Sequence, residues 1–129
     1  MQGDIEVREC LEADERELFW QRLREYFRRD IFPGEEDCYH CSEKYKETLH
    51  ARCFDPVRDL FLRRDGQDIG LALSVVYASE DGKQFILEFC VFPEFRGNGT
   101  GAACAGALLA WGRENGAKYA ELNCSDDRR

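Results

Sequence analysis

One stretch constrains this chain more than any other. It runs from Phe85 to Val91, through Phe92-Pro93-Glu94-Phe95-Arg96-Gly97-Asn98-Gly99-Thr100-Gly101, into a run rich in alanine and leucine. Phe85, Leu87, Phe89 and Val91 alternate with other side chains, which is the period of a strand, and the residues after Gly101 keep helical spacing. Arg96, Gly99 and Gly101 therefore punctuate a strand-to-helix loop. Glycine tolerates backbone angles that turn successive N–H groups toward one point, and it lets a ligand come close. The helix adds its unpaired first amides and the positive end of its dipole. Such a junction suits a phosphate or pyrophosphate. The glycine spacing is not that of the dinucleotide fingerprint, and no Gly-Lys-Ser/Thr follows, so it is not a nucleotide P-loop either.

The rest of the chain reads as alternating short elements. Ile5 to Arg8 alternates as a first strand. Asp14, with Glu17 three residues on, is expected to cap a helix whose buried face carries Leu18, Phe19, Leu23, Tyr26, Phe27 and Ile31. Phe32-Pro33-Gly34 stops it, and Glu35-Glu36-Asp37 forms an acidic loop. Ser42 opens a second helix with Tyr45, Leu49 and Phe54, which Asp55-Pro56 ends. Val57 to Arg64 and Ile69 to Tyr77 form a hairpin through Asp65-Gly66. In its second strand Ile69, Leu71, Leu73, Val75 and Tyr77 share one face, while Gly70, Ala72 and Ser74 admit something close on the other. After the strand Lys83–Phe92 and the loop, a helix from about Thr100 to Glu114 carries Ala103, Ala107, Leu108 and Trp111 on one stripe and stops at Asn115-Gly116. Ala117 to Cys124 is a fifth strand, with Ala120, Leu122 and Cys124 inward.

The string Val91-x-Pro93-Glu94-x-Arg96-Gly97-x-Gly99-x-Gly101 closely resembles the acetyl-CoA loop of the GNAT superfamily of N-acetyltransferases. The element order matches as well, so the resemblance covers residues 1–129 as one domain. It implies an α/β (α+β) acyl-CoA N-acyltransferase fold, a mixed central sheet flanked by helices. Members of the superfamily continue past the fifth strand with another helix and two strands, whereas this sequence stops at Ser125-Asp126-Asp127-Arg128-Arg129. The expectation is a domain truncated there, with an exposed sheet edge open to pairing with a second copy.

The resemblance also implies acetyl-CoA as cosubstrate and assigns roles by position. The amides of Gly97, Asn98, Gly99, Thr100 and Gly101, with Arg96 beside them, would hold the pyrophosphate. The pantetheine arm would pair with the backbone around Cys90 and Val91, where an N–H would polarise the thioester carbonyl. Asn123 would touch the cofactor or cap the sheet. Glu88 would deprotonate the amine, directly or through water, or is a half-exposed carboxylate in a salt bridge. The group that protonates the leaving thiolate, often a tyrosine in the helix after the fifth strand, is not carried over, because the matching segment would follow Arg129. Glu35, Glu36, Asp37, Tyr39 and His40 would favour a cationic primary amine on a small molecule or peptide. A module that binds CoA without catalysis is the alternative.

Composition narrows the remaining classes. A 129-residue chain with 43% hydrophobic and 12% aromatic residues builds one core. A formal charge of −8 argues against nucleic acid, whose affinity comes mostly from phosphate neutralisation. Without a long apolar run or a basic, apolar leader, the expectation is a cytoplasmic protein off the membrane. Seven cysteines fit a disulfide framework poorly, and Cys90, Cys104 and Cys124 read as small core residues. Cys38-x-x-Cys41 followed by His50-x-x-Cys53 could instead supply four zinc ligands, in a zinc-stabilised binding domain; the other reading is incidental thiols and no metal.

Overall fold

The computed structural model describes residues 4–34, 38–51, 55–77 and 82–122. Assignments made above for Asn123, Cys124, Cys53, Phe54 and the acidic residues 35–37 lie outside these. Five strands form one sheet in the order β1 (Glu6–Glu9), β2 (Arg58–Arg64), β3 (Gln67–Tyr77), β4 (Lys83–Val91) and β5 (Tyr119–Leu122). The first four are antiparallel to their neighbours, and β5 runs parallel to β4. Helix α1 (Ala13–Tyr26) and the short α2 (Glu43–His50) cover one face, and α3 (Thr100–Glu114) covers the other. This is the acyl-CoA N-acyltransferase architecture that the sequence implies. No helix among the described residues is long and apolar enough to cross a membrane.

Local chemistry explains most of these elements. Asp65 and Gly66 both take left-handed angles, φ 54° and 78°, which is the tight turn that a twisted hairpin demands. Ser42 caps α2 by accepting a 3.2 Å hydrogen bond from the Tyr45 N–H. α1 begins differently from expectation. Glu12 occupies the capping position without a side-chain bond, and Asp14 lies inside the first turn, where its Oδ1 accepts from the Glu15 N–H. The helix then widens into a π turn over Phe27–Ile31 before Gly34, φ 85°, ends the segment.

Two one-residue bulges correct the face assignments. Opposite Leu62 and Arg63, Ile69 is an extra residue in β3; opposite Leu73 and Ser74, Leu87 is an extra residue in β4. A bulge shifts every later side chain to the other face, because a strand's period is two. Phe85 and Leu87 consequently pack toward α1, whereas Phe89 and Val91 pack toward α3. Ile69 likewise leaves the face of Leu71, Leu73 and Val75 and joins Cys104 on α3.

The helices needed similar correction. On α1 the buried face is Phe19, Trp20, Leu23 and Tyr26, continuing into Phe27, while Leu18 is 46% exposed. On α3 the buried stripe is Thr100, Cys104, Leu108 and Trp111; Ala103 faces solvent. All four described residues of β5 are exposed, so Ala120 and Leu122 do not point inward. Leu108 and Trp111 on α3 are buried, while Leu122 on β5 is 55% exposed.

Candidate active site

The junction after β4 is built almost entirely by backbone. A 3-10 turn over Pro93–Phe95 carries the chain out of the sheet, and Arg96 follows in an extended conformation. Gly97, Asn98 and Gly99 then adopt consecutive left-handed angles, φ 101°, 53° and 76°, before α3 begins at Thr100. Glycine pays no steric cost there, and asparagine is among the side chains that tolerate it best. Thr100 closes the turn by donating its N–H (3.0 Å) and its Oγ1–H (2.8 Å) to the Gly97 carbonyl. The Ala103 N–H is the first to reach a carbonyl of the helix's own start, that of Gly99 at 3.0 Å. The Gly101 and Ala102 amides precede it and have no helical acceptor. A Cβ added at Gly97, Gly99 or Gly101 would meet nothing within 4 Å, so the loop surface is open to a ligand. An open groove of about 350 Å³ lies here, bounded by Arg96–Asn98 and Thr100 and by Arg64, Gln67 and Ile69 of the hairpin.

Arg96 is committed to the protein. Its Nε donates to the Val91 carbonyl (2.9 Å) and its Nη2 to Asp30 Oδ2 (3.1 Å), so the side chain ties the strand exit to the end of α1. Burial works to raise Asp30, but hydrogen bonds from Arg29 and Arg96 outweigh it and hold the carboxyl below its ordinary range. Nothing in the sequence marks Asp30 as the partner of a residue 66 positions away.

The bond to Arg96 also orients β4. Because the Val91 carbonyl faces Arg96, the Val91 N–H lies on the same edge of the strand, away from β3. The described β4–β5 pairing ends at Ile86 with Leu122, before the Leu87 bulge, so it does not reach Val91. The Val91 and Cys90 side chains are themselves buried. Burial pushes the Cys90 thiol up, against the pull of Arg96 and Arg29, which suits a packing residue rather than a nucleophile.

Glu88 follows the bulge and is half-buried, opposite Leu73, whose side chain packs on the α1 side. Its negative charge is felt by Tyr45 on α2. Burial, then the Glu88 carboxylate and the neighbouring Tyr39, push the Tyr45 hydroxyl up to about 12, which keeps it neutral. Around Tyr45 stand His40 (ring centroids 4.8 Å apart), Tyr39 (5.5 Å) and Phe27 (6.4 Å), and His40 stacks on Phe32 at 4.9 Å. Tyr39 and His40 thus lie on the Glu88 side of the sheet. The sequence places Tyr45 only on the second helix, with no role at the site.

Of the possible zinc set, Cys53 lies outside the described residues. His50 Nε2 lies 3.1 Å from Asp59 Oδ2, and among the described residues no three His, Cys, Asp or Glu side chains are placed to hold a metal ion.

An open glycine loop at a helix N-terminus beside a bulged strand belongs to the acyl-CoA N-acyltransferase class of fold. Residues 11–129 match the sequence profile of the acetyltransferase (GNAT) family, and the chain belongs to that family. No curated protein matches it. Among solved structures, a candidate acetyl transferase from Pyrococcus furiosus superposes with TM-score 0.70 at 19% identity, over 97% of this chain and 85% of that one. The aminoglycoside N-acetyltransferase AAC(6')-Iy in complex with CoA gives 0.60 at 18%, over 98% and 80%. An aminoglycoside acetyltransferase from an uncultured soil metagenomic sample, in complex with sisomicin, gives 0.61 at 15%, over 95% and 79%.

Proposed function

We propose that this protein transfers an acetyl group from acetyl-CoA to a primary amine. The observation that carries the reading is the run of left-handed residues Gly97–Gly99 leading straight into the first turn of α3, beside the groove. A pyrophosphate suits that loop because N–H groups, rather than side chains, would neutralise its charge. The Val91 N–H, turned away from β3, would polarise the thioester carbonyl, and Glu88 would take the proton from the attacking amine or from a water between them. The aromatic group of Tyr39, His40 and Tyr45 beside Glu88 favours a cationic acceptor. Aminoglycosides, for which two structural neighbours are named, are the first acceptors to assay.

Calorimetric titration with CoA tests the reading. Binding is expected, and Gly99→Asp, which puts a negative charge against the pyrophosphate, is expected to weaken it by about 2–4 kcal/mol. A folded protein without CoA affinity, or an unaffected variant, refutes the reading. Glu88→Gln is expected to keep CoA affinity while kcat falls about 10²-fold or more, the usual scale of a positioned base. An unchanged kcat removes Glu88 from catalysis.

A further inference from the structure

Cys38 and Cys41 take no part in the site above. Cys38 immediately precedes the 3-10 turn Tyr39–Cys41, and the Cys41 N–H donates back to the Cys38 carbonyl at 3.1 Å. The turn brings the two free, half-buried thiols to 3.0 Å, Sγ to Sγ, in hydrogen-bond contact. A disulfide bond is about 2.05 Å long, so a shift of about 1 Å separates the thiols from bonding distance. A Cys-x-x-Cys turn is also an arrangement in which one thiol helps the other to ionise. Burial comes first, then the hydrogen bond with its neighbour Cys38, in pushing the Cys41 thiol up to about 11; Arg28 and Arg24 oppose them. The raised Cys41 thiol leaves the first attack to Cys38 and makes Cys41 the resolving partner.

The geometry points to Cys38 and Cys41 as a reversible dithiol–disulfide pair that exchanges with small disulfides such as oxidised glutathione. Cys38, giving up its proton to solvent, attacks one sulfur of the small disulfide, whose S–S bond breaks and releases one small thiolate. Cys41, losing its proton to solvent, then attacks the Cys38 sulfur and expels the second small thiolate. The protein is oxidised by loss of two hydrogens, and the small disulfide is reduced to two thiols. The new covalent ring spans Tyr39 and His40, whose rings pack on Tyr45. Oxidation consequently fixes the aromatic group on the Glu88 side of the sheet.

The test uses the full chain equilibrated in glutathione buffers of stepped ratio, quenched with acid, alkylated, weighed intact and digested. A loss of two hydrogens, mapped to one Cys38–Cys41 link and reversed by dithiothreitol, is expected. Cys41→Ser is expected to retain one glutathione on Cys38, an adduct that the unsubstituted protein resolves. Hydrogen exchange at the Cys41 and Ser42 amides should slow in the oxidised form. The proposal is overturned by a link through another cysteine, by a glutathione adduct that persists on Cys38 of the unsubstituted protein, by an unchanged thiol count, or by exchange that does not slow. None of these readouts depends on acetyl transfer.

Discussion

Asp59 shows how far one side chain reaches in this protein. It is buried in β2, accepts from the Trp20 Nε1–H of α1 at 3.0 Å, and lies 3.1 Å from His50 Nε2 at the end of α2. Burial is the largest influence on its carboxyl and pushes it up, while His50 and Trp20 pull the other way. Trp20→Phe keeps an aromatic ring in place but leaves Asp59 short of one donor. We expect a loss of about 1–3 kcal/mol in urea unfolding, with little change in slope. A loss under about 0.5 kcal/mol would mean that solvent replaces the indole. Asp30 behaves oppositely, since its folded value lies below the ordinary aspartate range. Its contribution is therefore present above that range and lost as pH falls through the depressed folded value. Arg96 is 49% exposed, so the contribution is held below about 1 kcal/mol. Asp30→Asn is expected to lower stability near neutral pH and to flatten its decline under acid, read from urea midpoints at stepped pH.

At the scale of elements, α3 and the β2–β3 hairpin were legible because their signals are local. Thr100 and Glu114 bound the helix as read, and Asp65-Gly66 makes the turn. The bulges at Ile69 and Leu87 were not legible, since an inserted residue carries no side-chain signature and only the partner strand reveals the shift. Trp20 was missed because its indole is satisfied by a carboxylate 39 residues away. Two glycines of α3 separate propensity from packing. Gly106 has nothing within 4 Å of an added Cβ, so Gly106→Ala should stabilise by about 0.5–1 kcal/mol. At Gly112 a Cβ would overlap the Gln84 carboxamide, which is buried and donates to Ser74 Oγ and to the Leu108 carbonyl. Gly112→Ala should instead cost about 1–3 kcal/mol by overpacking. Equal effects at the two positions, in parallel thermal melts, would contradict this account of how α3 seats on β4.

For the whole molecule, the loop residues of the candidate site stood out because glycines and their spacing are visible in one short string. Their surroundings did not, because Asp30, Tyr45 and the orientation of Val91 depend on contacts across the sheet and the helices. That division suggests a test in which stability and binding move in opposite directions. Gly101 lies in the first turn of α3, among the amides without a helical acceptor, and has open space around it. Gly101→Asp removes a helix-weakening glycine and places a negative charge at the positive end of the dipole. Without ligand, the variant should gain about 0.5–1.5 kcal/mol. The same carboxylate competes with a bound pyrophosphate, so the gain should be joined by a loss of ligand response. At CoA about 100-fold above its Kd, mass action stabilises the original protein by about 2.7 kcal/mol, which is roughly 5–15 °C in Tm for a domain of this size. Gly101→Asp should melt higher alone and show little further rise with CoA. A variant that keeps the full CoA shift would place the anion away from the start of α3; one that melts lower alone would mean that the first turn of α3 is held by something other than its own amides.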